Sequence, residues 1–134
     1  MTEQSSNADQ ALPQAFLRIR FGHEEAHYGS HLVAGAKTLE VFGDLATELT
    51  VKLDGEKGLL RAYEHVELLA PIYAGDWIEA RARVVQVGRS SRRFECEAYK
   101  VIADTGPVTA NVLDPPVLVA RATGTIVAMS RHKE

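Results

Sequence analysis

Cysteine is almost missing from this chain of 134 residues. Cys96 is the only one, so no disulfide can close within the chain, and a reducing cytosol is the expected compartment. Long apolar runs are missing too. None approaches the roughly 18–20 residues that a membrane span needs, and the polar opening MTEQSSNADQ has neither the basic nor the apolar stretch of a signal peptide. A soluble, cytoplasmic protein is expected. No sign of charge is in large excess: Lys and Arg number 15 against 18 Asp and Glu, a net charge of −3, which marks out neither a nucleic-acid nor a membrane partner. P-loop, dinucleotide fingerprint, internal repeat and low-complexity tract are all absent. His23 and His27 stand four apart in a polar loop without a third ligand at a usual spacing, so no metal is expected.

What is present is a chain with 46% hydrophobic residues, enough for one domain with a real core. Residues 1–14, ending just past Pro13, read as an arm, and 15–134 as a single domain. Residues 31–51, HLVAGAKTLEVFGDLATELTV, carry two apolar rows at helical period, which predicts a helix that is covered nearly all round. Elsewhere the period is two. Residues 16–21, 59–69, 77–87, 92–103 and 117–128 read as strands, with turns at Asp54-Gly55-Glu56 and Gly75-Asp76 and a loop over 104–116. One helix and five strands in this order predict an α+β domain, its antiparallel sheet wrapped around the helix.

The helix's polar seam holds Lys37, Glu40, Asp44 and Glu48. Asp44 and Glu48 lie one turn apart on it. Two readings of that pair stand. Either the carboxylates sit on a solvated edge beside basic partners, or burial and mutual repulsion push their proton affinities apart and equip them for acid/base work. Gly43, inside the helix, costs on the order of 1 kcal/mol against alanine, which points to close approach by a ligand, a backbone or a packing neighbour. His27 and Tyr28, just before the helix, either make local loop contacts or complete a pocket. Arg89-Ser90-Ser91-Arg92-Arg93 is a solvated bend or a phosphate grip. Cys96, mid-strand between Glu95 and Glu97, reads as core filler.

With that order in place, the chain resembles hotdog-fold acyl-CoA enzymes. The detail of residues 26–49 (AHYGSHLVAGAKTLEVFGDLATEL), 70–79 (APIYAGDWIE), 94–101 (FECEAYKV) and 115–125 (PPVLVARATGT) is similar to the 3-aminobutyryl-CoA / β-alanyl-CoA ammonia-lyase family. His27-Tyr28, Leu32-Val33, Gly35-Ala36, Gly43-Asp44 and Thr47-Glu48-Leu49 carry most of that likeness. It implies reversible loss of ammonia from a 3-aminoacyl-CoA to the 2-enoyl-CoA, as in lysine or β-alanine fermentation. Coenzyme A would be part of the substrate, with no separate cofactor. It further implies catalytic roles for Asp44 and Glu48, their division left open. Backbone donors for the thioester oxygen would come from Val33, Ala34, Gly35 and Ala36, near His27 and Tyr28. CoA phosphates would meet Arg89, Ser90, Ser91, Arg92, Arg93 or Arg121. The same likeness implies a homodimer, or a larger assembly of dimers, with the helix-end donors of one chain facing the acids of the other. Two rivals share the fold: an acyl-CoA thioesterase and a non-catalytic acyl-CoA binder.

Overall fold

Apolar/polar alternation builds most of this molecule. In the computed structural model, which describes residues 12–27 and 31–132, it yields five long strands: β1 (Gln14–Arg20), β4 (Leu59–Leu68), β5 (Trp77–Val87), β6 (Ser91–Asp104) and β7 (Ala110–Val127). They form one antiparallel sheet in the order β1-β5-β6-β7-β4. Two short strands, β2 (Ala26–His27) and β3 (Leu32–Val33), pair with each other, and α1 (Gly35–Asp54) follows. A final turn, α2 (Met129–His132), has its first amide N–H groups accepted by Glu56.

The pleat sorts each strand between two faces. Ile78, Ala80, Ala82 and Val84 of β5, with Phe94, Cys96 and Ala98 of β6, point at the helix, which answers with Phe42, Leu45, Ala46 and Leu49. The alanines let the helix lie close. Charged residues take the outer face, in ion pairs such as Arg83–Glu95 and Arg93–Glu64. α1 touches all five strands, both edges included. Edges four ladder spacings apart lie about 19 Å from each other in a flat sheet, so the sheet must curve round the helix. That is the expected hotdog arrangement.

Several boundaries move. β1 takes in Gln14, which the sequence placed in the arm; residues 1–11 of that arm lie outside the described residues. The helix begins at Gly35 rather than residue 31, because Leu32 and Val33 are drawn into β3 and the Val33 N–H donates to the Ile72 carbonyl at 2.8 Å. It ends at Asp54, where Gly55 takes φ 71° and closes the last turn. β7 starts at Ala110, inside the predicted loop. Pro115 and Pro116 fall between paired stretches of the β6–β7 ladder, where the register shifts and no proline N–H is required.

Candidate functional site

α1 begins with backbone donors that no capping side chain among the described residues meets. Its N-cap is Ala34, with extended backbone (φ −65°, ψ 142°) and no side chain to cap the first amides. Lys37 N–H closes onto the Ala34 carbonyl at 3.0 Å, and among the described residues no protein acceptor meets the N–H groups of Ala34, Gly35 or Ala36. Such a helix start carries partial positive charge and suits an anion or a polarised carbonyl. Val33, counted with these donors from sequence, is corrected: its N–H is spent on Ile72.

Beside these amides lies a cavity of about 300 Å³, walled by Leu32, Val33, Leu68, Ile72 and Val119 with Gly35 in its lining. Thus free amides border an apolar cleft. This pairing suits a thioester whose carbonyl oxygen wants donors and whose acyl carbons want oil.

Of the two readings of the acid pair, one chain by itself matches the solvated edge. Asp44 is exposed, and Glu48 is half-exposed with its carboxylate 2.8 Å from Lys52 Nζ. Ala36, Glu40, Asp44 and Val51 form an outward face of α1 that nothing among the described residues covers. Glu48 lines a larger open cavity of about 1200 Å³ among charged residues of the sheet; Asp44 does not. Distance separates them from the donors as well. At a rise of 1.5 Å per residue, Asp44 stands about 13 Å along the helix from Gly35, and Glu48 about 20 Å.

Next to Asp44, Tyr63 of β4 reaches over Gly43 and donates its hydroxyl to the Leu39 carbonyl at 2.5 Å. Burial pushes its phenol up to about 12, with smaller contributions from Cys96 and Asp44. A Cβ on Gly43 would meet the Tyr63 hydroxyl at 3.4 Å, ordinary contact. The chain's own packing therefore does not require glycine there.

The cluster after β5 divides sharply. Arg92 is no phosphate ligand: it is 2% exposed and forks onto Asp54 at the end of α1, Nε to Oδ2 at 2.9 Å and Nη2 to Oδ1 at 2.8 Å. Its Nη1 donates to the Gly88 and Ser91 carbonyls. Arg93 pairs with Glu64 and Arg121 with Glu67. Arg89 is exposed and has no acidic partner among the described residues, with Ser90 and Ser91 half-buried beside it. His27 enters through its backbone, paired with Leu32, and Tyr28 lies outside the described residues. Cys96 is buried, which pushes its thiol up to about 12 and removes it as a nucleophile. Glu95 and Glu97 on either side of it point to the opposite face of β6.

Two residues escaped the sequence reading. Tyr63 sat in a strand whose alternation looked unremarkable. Leu68 was one of several leucines closing β4, and only the folded chain brings it over Gly35.

Comparison with known proteins places this geometry. Residues 44–102 match the model of the thioesterase superfamily. Over 117 residues, covering 85% of this chain and 93% of the relative, the sequence is 44% identical to a 3-aminobutyryl-CoA ammonia lyase of Acetoanaerobium sticklandii. In structure it superposes on a β-alanyl-CoA:ammonia lyase from Clostridium propionicum with a TM-score of 0.85 and 32% identity, covering 87% of this chain and 85% of that one. A hexameric hotdog-fold thioesterase of Campylobacter jejuni shares the fold at a TM-score of 0.72 and 20% identity, with 87% and 83% covered. Among the described residues, no helix is long and apolar enough to cross a membrane. Identity at this level over nearly the whole relative decides what the shared fold alone does not: the chain belongs to the 3-aminobutyryl-CoA / β-alanyl-CoA ammonia-lyase family of hotdog acyl-CoA enzymes.

Proposed function

We propose that this protein catalyses the reversible elimination of ammonia from a short 3-aminoacyl-CoA, giving the 2-enoyl-CoA, at a site made by two copies of the chain. The observation that carries the proposal is the uncapped start of α1 opening on an apolar cleft. The thioester oxygen accepts from the Gly35 and Ala36 N–H groups, where charge develops as the α-proton leaves. A carboxylate takes that proton. The electron pair left on the α-carbon forms the double bond to C3 as the C3–N bond breaks, and an ammonium substituent departs as ammonia.

That carboxylate is assigned to Asp44. It is exposed and has no cationic partner among the described residues, whereas Glu48 is engaged by Lys52 and is the better holder of the ammonium group. Reach supports a second copy. With about 13 Å of helix between Gly35 and Asp44, the acid of one chain does not meet a thioester on its own donors. An antiparallel partner helix brings the two together, twice per dimer. β4 supports the same reading: among the described residues this sheet edge pairs only with β7, and Leu59 at its start is 57% exposed. Such an edge is a ready template for a second chain. Arg89 is the cation proposed for the CoA phosphates, at the open turn before β6. The protein is assigned to cytoplasmic amino-acid degradation of the lysine-fermentation kind, where a lone reduced thiol such as Cys96 is stable.

The match to the thioesterase superfamily gives hydrolysis as the rival reaction. One assay separates them. With crotonyl-CoA, loss of enoyl absorbance is expected to require ammonium and to yield 3-aminobutyryl-CoA without free thiol. Thiol release independent of ammonium would replace the lyase reading with hydrolysis.

A further inference from the structure

We infer that Leu68 sets how large an alkyl group at C3 of the acyl chain the enzyme accepts, an inference that rests on the thioester lying at the start of α1. Leu68 ends β4 and is largely exposed, yet its Cδ1 methyl rests directly on the Cα of Gly35, so closely that a Cβ on Gly35 would run into it. Gly35 is backbone at the first position of a helix and does not give. Leu68 is a side chain at a strand end and can swing. The pair therefore makes a fixed floor and a movable ceiling at the point where the donors border the apolar cleft.

The substrate's own chemistry decides what enters. A C3 ammonium group cannot shed its water into a cleft walled by Leu32, Val33, Ile72 and Val119, so it turns toward the carboxylates. The other C3 substituent then points the opposite way, into the cleft and under Leu68. Hydrogen or methyl fits beneath a resting leucine. A propyl group has to displace it. Leu68 supplies all three atoms nearest to a Cβ on Gly35 and is exposed, which is why the selectivity is placed on this side chain rather than on Ile72 or Val119, both buried in the core.

The test compares acrylyl-CoA, crotonyl-CoA and 2-hexenoyl-CoA as acceptors of ammonia, using the full chain and its Leu68→Ala and Leu68→Phe variants. Because Leu68 is exposed, both variants are expected to fold, and circular dichroism checks it. Wild type is expected to discriminate against the hexenoyl ester. Leu68→Ala is expected to raise the hexenoyl-to-crotonyl ratio of kcat/KM by about tenfold or more, the scale set by a few methylenes in an apolar pocket. Leu68→Phe is expected to lower crotonyl relative to acrylyl by about the same factor. The inference is overturned if both variants change all three substrates by one common factor, as they would if the cleft holds the pantetheine arm. A wild type that consumes none of the three in an ammonium-dependent way overturns the underlying reaction, and this inference with it.

Discussion

Replacing Asp44 with asparagine is expected to lower ammonia elimination by about 10²–10⁴-fold, the usual weight of a positioned general base. The fold should hardly notice. Asp44 is exposed and forms no ion pair among the described residues, so stability should stay within about 0.5 kcal/mol of wild type. The change belongs in kcat more than in KM, because the lost interaction is made as the proton moves. Glu48→Gln is the companion variant. Its exposed pair with Lys52 contributes only about 0.3–0.5 kcal/mol, and a group that holds the ammonium is expected to act mainly through KM for ammonium in the addition direction. Steady-state rates in both directions, with thermal melts as a control, separate the two roles. Near-normal turnover in both variants would remove the carboxylates from the mechanism.

The other large effect concerns stability. Arg92→Met is expected to cost about 3–5 kcal/mol, because it strands the Asp54 carboxylate in the interior with no counter-charge. The pair is almost dry, 2% and 6% exposed at its two side chains, and it ties the last residue of α1 to the second residue of β6. A domain of this kind has about 5–15 kcal/mol in all, so the single variant should be visibly weakened in a urea melt. The double variant Arg92→Met with Asp54→Leu should recover most of the loss, since it leaves no buried charge unpaired and only the Gly88 and Ser91 carbonyls lose a donor. A single variant within about 1 kcal/mol of wild type would mean that the fork contributes little.

Arg92 also shows what could be read beforehand and how it was missed. Set among Arg89, Ser90, Ser91 and Arg93, it looked like part of a hydrophilic bend. Its parity said otherwise: Arg92, Phe94, Cys96 and Ala98 share one face of β6, the face that meets the helix. Alternation gives β5 at its full extent and falls short for β7, whose first residues lie in the expected loop because they pair with β6 only across a register shift at the prolines. Helix period located α1 but not its first residue, since Leu32 and Val33 are as apolar as the turn that follows and only pairing with β2 tells them apart. The acids are legible as a pair, with the solvated edge as one of two open readings. A helix apolar on nearly every side implied a cover, and the curved sheet of one chain supplies only part of it. The Leu68–Gly35 contact joins residues 33 apart in sequence, across a strand edge, and no local pattern announces it.

The most direct measurement mixes two disabled chains. Asp44→Asn removes the acid. Gly35→Pro removes a donor at the first helical position, where proline is well tolerated and Ala34 already has the extended backbone that must precede it; the new Cβ meets the flexible Leu68 side chain, which has to move aside. Each variant alone should be nearly inactive. Co-expressed in equal amounts, half of the dimers pair unlike chains, and each of these regains one complete site, so about a quarter of wild-type turnover should return. If the acid and the donors of one site come from the same chain, every site in every mixture is broken, and no activity above that of the separate variants will appear.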